Sequence, residues 1–292
     1  MPDQSLALKK ILVATDLSDQ AGAAIGRAVE LGIEHEAEVI IVHIVQEGLP
    51  QEAESFLMAT SDRHVRDGIA DLPRASQVTM TIDIVSGRPD LDIVERAELE
   101  QADLIVVGLH SRLLEENLSI QGTVAEQIIQ RTHLPVLVVK NKPSGPYRSV
   151  LVGVDFSAFS REAVGAAVRV APHADLYLTH AYQVNTDVMI AFRRSEARDK
   201  MAAARKLRLE AFIHGEMNRL MNVGSAGKLK FHQNARIGEP SAVLKAEAKR
   251  IGAELVVMGT HGRIGLKRSI LGSVTTDLLN DRLADVLTVR PF

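Results

Sequence analysis

The stretch KKILVATDLS at 9–18 recurs as RSVLVGVDFS at 148–157, so that Asp16 matches Asp155 at an offset of 139 residues. Both stretches place a short apolar run before an aspartate, as a buried strand does when it ends in a polar turn. Three further pairs of segments match in the same order: 39–45 with 176–182, 86–108 with 237–259, and 136–139 with 286–289. The chain therefore consists of two copies of one duplicated domain.

Each copy alternates short, continuous apolar runs with longer segments of helical spacing, a pattern typical of a parallel sheet covered on both faces. It predicts an α/β fold with two tandem doubly wound domains, at residues 1–143 and 148–292. Each domain is expected to be a five-stranded parallel sheet flanked by helices. The segment NKPSGPY at 141–147 has the composition of a linker. We expect the copies to pair around a pseudo-two-fold axis, and a ligand to bind where the first and fourth strands end.

The apolar runs of the second copy are distinct enough to bound its elements. The predicted strands are 149–154, 174–182, 228–236, 254–258 and 285–290. The predicted helices between them are 159–172, 188–221, 240–251 and 273–282. The third helix opens with Glu239-Pro240, and proline is well tolerated at the first position of a helix.

The stretch VVMGTHGRIGLKRSILGSVTTDLL at 256–279 carries the chemistry of the second copy. Gly259 ends a strand, Gly262 follows after two residues, and Gly272-Ser273 follows after nine more. Glycines allow a ligand close to the backbone, and the N–H groups at a helix start attract phosphate. Between the last two glycines lie three cations and no acid: Arg263, Lys267 and Arg268. Ser273 is expected either to cap the helix or to bond the ligand.

With this spacing the chain resembles a tandem universal stress protein, whose fold is similar to that of the adenine-nucleotide α-hydrolases. In that family G-x2-G-x9-G-[ST] marks the members that bind ATP, and residues 259–273 match it without insertion. The resemblance implies ATP as the ligand, with Mg²⁺ left open, and Asp155 at the adenosine end. It further implies that two residues line the adenine pocket and three complete the site: Val154 and Ala181, then Met258, His261 and Val274.

The first copy departs from this motif. Gly108 and Gly122-Thr123 are present, but Ser111 replaces the second glycine and ten residues separate it from Gly122. The loop holds Arg112 against Glu115 and Glu116, a net charge of −1. Carboxylates close to a triphosphate oppose its binding, so we expect this copy to be empty or weakly occupied.

Several of these residues have a simpler interpretation. Asp16 and Asp155 could be turn formers that accept backbone N–H groups at a strand end. His43 and His180 lie inside apolar strands, where a hydrogen-bonded core imidazole is the favoured account.

Composition limits the function. A net charge of −3 and 3% aromatic residues argue against nucleic acid as a partner, and no apolar stretch is long enough to span a membrane. Without cysteine there is no thiolate nucleophile or cysteine metal site. No nucleophile–base pair is visible, so the ATP-binding stress-response protein that the resemblance implies is expected to act through occupancy. Because the N-terminal segment lacks the features of a signal peptide and no membrane span is found, we expect the protein in the cytoplasm. Slow ATP hydrolysis and a dimerisation scaffold without nucleotide stay open, as do a homodimer and modification of Ser273.

Overall fold

The computed structural model describes residues 7–109, 123–183, 195–221, 230–260 and 271–291. Its first half contains five strands: β1 Lys10–Ala14, β2 Glu38–Gln46, β3 Met80–Gly87, β4 Leu104–Gly108 and β5 Val136–Val139. The helices described between them are α1 Asp19–His35, α2 Gln51–Ala70, α3 Pro89–Leu99 and α4 Val124–Arg131, with a 3₁₀ turn at Ala75–Gln77.

The second half repeats this order. Its strands are β6 Ser149–Gly153, β7 Asp175–Tyr182, β8 Lys230–Ile237, β9 Leu255–Gly259 and β10 Asp285–Val289. Its described helices are α5 Ala158–Val170, α6 Ser195–Met221, α7 Pro240–Ile251 and α8 Ser273–Leu279. The predicted bounds of α7 agree with the structure. The predicted start of α6 at 188 lies outside the described residues, and α8 ends before the predicted 282 because Asp281 turns the chain by accepting the Leu283 amide at 3.1 Å.

The ten strands form one sheet in the order β3-β2-β1-β4-β5-β10-β9-β6-β7-β8. Within each half all pairs are parallel, and the first strand lies between the second and the fourth. The predicted α/β fold with two doubly wound halves is therefore confirmed. The halves meet where β5 and β10 pair antiparallel, with Leu137 opposite Leu287.

The apolar strands are buried by helices on both faces of the sheet. On one face α1, α2, α5 and α6 share a single hydrophobic cluster that runs across both halves. On the other face the residues of α3 and α4 pack together with Leu271, Leu279 and Val286 of the second half, and α7 packs in a further cluster with Leu278. Both faces of the core thus join the halves. Among the described helices, none combines the length and the apolar character that crossing a membrane requires.

Candidate functional site

The candidate site lies at the carboxyl edge of the second half, between β6 and β9. These strands are neighbours in register, with Val152 opposite Val257. The chain leaves β6 toward α5 on one face and leaves β9 toward α8 on the other. A crevice at such a switch point is where doubly wound folds bind ligands.

Asp155 follows β6 and organises the turn into α5. Its Oδ1 accepts the Ser157 amide at 3.0 Å and the Ser157 hydroxyl at 2.5 Å. The Ser160 hydroxyl also donates to this oxygen, and the Asp155 amide donates to Ser160 Oγ at 2.8 Å. Phe156 between them is held at φ 66°, a backbone conformation that costs energy in a residue with a Cβ. The carboxylate therefore stabilises a strained turn, whatever else it contacts.

Gly259 ends β9 at a point where the first turn of α5 packs against the strand. A Cβ built there would lie 2.5 Å from Cβ of Phe159, on the first turn of α5. On the opposite face Met258 covers Gly153, since a Cβ on Gly153 would lie 2.3 Å from the Met258 sulfur. Both glycines thus have a packing reason within the described structure.

The two ends of the glycine motif are joined by hydrogen bonds. The Gly272 amide donates to the Thr260 carbonyl at 2.9 Å, and the Thr275 hydroxyl donates to the Gly259 carbonyl at 2.9 Å. The Thr260 amide in turn donates to Val289 of β10 at 2.9 Å. Thr260 and Gly272 are therefore held together at the edge of the sheet. His261, Gly262 and Arg263 fall between them in the sequence and lie outside the described residues.

The start of α8 differs from one of the two sequence expectations. Gly272 is the N-cap, with φ −61° and ψ 144°, and it has no side chain with which to cap the helix. Ser273 is the first helical residue and is exposed, so it does not cap α8. Val274 is partly buried and packs against the α7 cluster. No N-cap side chain accepts from the N–H groups in the first turn of α8. These N–H groups and the exposed Ser273 hydroxyl are the donors that a phosphate would need.

The two residues predicted to line the adenine pocket, Val154 and Ala181, lie on different faces of the sheet. Val154 is buried in the cluster of α5 and α6, whereas Met258 and Val274 pack on the α7 side. The Val154 amide donates to the Thr179 carbonyl at 2.9 Å. Ala181, two residues beyond Thr179, points to the Met258 face because strand residues alternate. The structure brings Ala181 and Met258 to one face and places the Val154 side chain on the other.

His180 has the core role favoured from the sequence. It is buried, and its Nδ1–H donates to the Val154 carbonyl at 2.7 Å. Burial lowers the pKa of His180, with help from Arg205 and Arg208 and against the hydrogen bond to Val154. The neutral ring therefore joins β7 to the end of β6.

Two residues that stabilise the site were not assigned to it from the sequence. Ser160 completes the Asp155 turn, and Thr275 ties α8 to Gly259. The signal for Ser160 was the spacing D-x-S-x-x-S at 155–160, which the first copy replaces by D-x-S-x-x-A. Among the residues that the structure describes, no three His, Asp or Glu side chains are grouped to hold a metal ion.

The comparisons with known proteins agree with the duplicated fold. The universal stress protein family model matches residues 7–140 and 146–290, so the chain belongs to this family and carries two of its domains. A universal stress protein of Mycolicibacterium smegmatis is 25% identical over 99% of both chains. The crystal structure of a universal stress protein from Archaeoglobus fulgidus covers 98% of each chain with a TM-score of 0.71 and 18% identity, which supports the fold. Another universal stress protein, 27% identical and covering 46% of this chain with a TM-score of 0.35, was solved in complex with cAMP.

Proposed function

We propose that this universal stress protein binds ATP in its second half and acts in stress response through nucleotide occupancy. The observation that carries the proposal is the anchoring of the glycine motif. Its first and last glycines are held at the switch point of β6 and β9, by the bonds from Gly272 to Thr260 and from Thr275 to Gly259. The unbroken spacing of the motif selects a phosphate-bearing ligand.

The described residues fit such a ligand. The first turn of α8 presents the Ser273 hydroxyl and backbone N–H groups that no side-chain cap occupies, and Ala181 and Met258 share an apolar face for a base. Asp155 holds the turn on which the adenosine end rests. Bound ATP would supply negatively charged phosphate oxygens, and the protein would supply the hydrogen-bond donors and cations that face them. The proposed site comprises Val154, Asp155, Ala181, Met258, Gly259, His261, Gly262, Arg263, Gly272, Ser273 and Val274.

The first half is proposed to bind no nucleotide, or to bind it weakly. At its corresponding helix start the Thr123 hydroxyl accepts the Glu126 amide at 3.2 Å, so the side chain occupies a donor that a phosphate would use. The loop before it also carries net negative charge. Occupancy confined to one half gives the protein one nucleotide-dependent state.

The test is to denature the purified chain, identify the released nucleotide by anion-exchange chromatography, and repeat with Gly272→Val. We expect about one adenine nucleotide per chain in the parent and none in a folded Gly272→Val protein. Gly122→Val, at the matching position of the first copy, serves as the control and is expected to keep the nucleotide. Release from Gly272→Val but not from Gly122→Val would place the ligand in the first half and refute the proposal. The same eluate reports ADP if the protein hydrolyses ATP.

A further inference from the structure

Lys140 leaves the first half directly after β5 and ends inside the second. Its side chain is buried, with 6% of the residue exposed. The ammonium donates to the carbonyls of Leu278 at 2.7 Å and Asp281 at 2.6 Å. These carbonyls lie at the C-terminal end of α8, where a helix has carbonyls without intrahelical partners and a partial negative charge. A residue of the first half therefore caps the last helix of the second.

The reverse contact exists as well. Arg290 stands directly after β10, 150 residues beyond Lys140, and its Nη1 donates to the Gln130 carbonyl at 2.6 Å. Gln130 lies in the last turn of α4. Each half thus contributes a cation to the final helix of the other, across the antiparallel pairing of β5 with β10.

The other end of α8 is tied to the glycine motif. Thr275 on its first turn donates to Gly259, and Gly272 at its N-cap donates to Thr260. Since α8 has only seven residues, its two ends are about 10 Å apart at the usual helical rise. A short rigid element therefore connects Lys140 to the candidate site.

The ammonium stands in a crowded charged environment. Asp285 accepts the Lys140 amide at 2.9 Å and the Tyr147 hydroxyl at 2.7 Å, while the Arg27 guanidinium lies 3.9 Å from the Tyr147 ring. Arg27 Nε is 3.6 Å from Asp285 Oδ2, and Lys245 Nζ is 3.2 Å from Asp281 Oδ2.

Burial, opposed by Asp281 and Asp285 and assisted by Lys245, lowers the pKa of Lys140 to about 7. Its charge therefore changes near neutral pH, whereas an arginine stays charged. Of the two caps, Lys140 on α8 and Arg290 on α4, only the Lys140 cap therefore changes its charge near neutral pH.

We propose that Lys140 is a positioning residue that sets α8, and through α8 the placement of Gly272 and Ser273, so that the first half controls the ligand affinity of the second. The effect on ATP rests on the proposed function, whereas the effect on α8 does not. Protonated Lys140 is expected to favour the binding-competent placement, because a cation at its C-terminal end stabilises α8. By linkage, ATP is then expected to raise the proton affinity of Lys140.

Amide hydrogen exchange on the full chain without nucleotide tests the positioning. In Lys140→Met the amide of Thr276, which donates to Gly272, is expected to exchange about tenfold faster, as for a lost charge-assisted bond. The amide of Gln127 in α4, which donates to Thr123, is expected to stay within about twofold. Arg290→Met is the matched control and is expected to show the opposite pattern. Unchanged exchange at Thr276 in Lys140→Met, or equal acceleration in both helices, overturns the proposal.

Lys140→Met exchanges a buried cation for an apolar chain of similar length, so the global stability is expected to hold. If it does not fold, Lys140→Gln, which is neutral but keeps an N–H donor, is measured against the same two amides. The same acceleration at Thr276 supports the proposal and its absence overturns it.

Isothermal titration with ATP at pH 6.5 tests the coupling to the ligand. Lys140→Met is expected to bind ATP about tenfold more weakly than the parent, and Arg290→Met within about twofold of it. Equal affinity in the parent and Lys140→Met overturns the coupling. Failure of the parent itself to bind ATP refutes the proposed function, and the exchange data then decide the positioning role separately.

Discussion

The two halves have closely similar hydrogen bonds where their first strands end, and they differ in the glycine motif and helix cap that follow their fourth strands. In both, an aspartate accepts the amide and hydroxyl of a serine two residues on, at 3.0 and 2.5 Å, around a residue with φ of 64° or 66°. In both, a strand histidine donates to the backbone beside that aspartate, at 2.8 and 2.7 Å. At the last helix the first half uses the Thr123 hydroxyl as cap, whereas the second has Gly272 and no side-chain cap.

This difference separates fold from function. Asp16 and His43 keep the same hydrogen bonds as Asp155 and His180 although the first half lacks the motif, so those bonds serve the fold. Evidence for a ligand must come from what only the second half has: the intact spacing, the cationic loop and the uncapped helix start.

Reversing the loop charges is expected to have the largest effect. Arg263→Glu, Lys267→Glu and Arg268→Glu together change the loop of the second half from +3 to −3. We expect ATP affinity to fall by about a thousandfold or more, because each unit charge near a phosphate contributes about 1 kcal/mol or more. Titration calorimetry measures this. Reversing Glu115 and Glu116 of the first half to lysine is the control, and a comparable loss there would contradict the assignment to the second half.

The pH dependence of stability compares the two exchanged caps. Unfolded, Lys140 keeps its proton to its ordinary pKa of 10.5; folded, it loses it near 7. Above pH 7 the unfolded chain therefore binds more protons, and stability rises with pH. From pH 7 to 9.5 the gain is expected to be about 3 kcal/mol in urea unfolding. The slope should vanish in Lys140→Met and persist in Arg290→Met; a slope in both would assign it to other groups.

The turn aspartates give a smaller effect. Asp155→Ala is expected to lower the free energy of unfolding by about 2 kcal/mol and Asp16→Ala by about 1 kcal/mol, because Asp155 also accepts from Ser160. Only Asp155→Ala should weaken ATP binding. Chemical denaturation and calorimetry of the two variants check this, and equal stability losses would show that Ser160 adds nothing.

The smallest effect concerns the last-helix caps. Thr123→Ala removes an N-cap bond and is expected to cost about 1 kcal/mol. Ser273→Ala removes an exposed hydroxyl that does not cap and should stay within about 0.5 kcal/mol of the parent. Thermal unfolding of the two proteins decides between these values; a loss at Ser273 as large as that at Thr123 means that Ser273 bonds within the fold.

The elements of the fold could be predicted because their signals are local. The continuous apolar runs became β6, β7 and β9 with bounds within a residue or two, and Glu239-Pro240 marked the start of α7. The cap of α8 was harder, since Gly272 and Ser273 are adjacent and a one-residue shift of the helix start decides which of them is the N-cap. Val154 was assigned to the site from the resemblance, but its side chain faces the opposite side of β6 from Met258 because strand residues alternate.

The order of residues along the chain determined the duplication, the parallel sheet of each half and the position of the glycine motif, because hydrophobic period and spacing are properties of neighbouring residues. Only the tertiary structure decided that β5 and β10 pair and that Lys140 and Arg290 exchange helix caps. It also brought Tyr147, from a segment with linker composition, into contact with Asp285 and Arg27. These contacts join residues more than a hundred positions apart, and the antiparallel edge that places them leaves no periodic mark in the sequence.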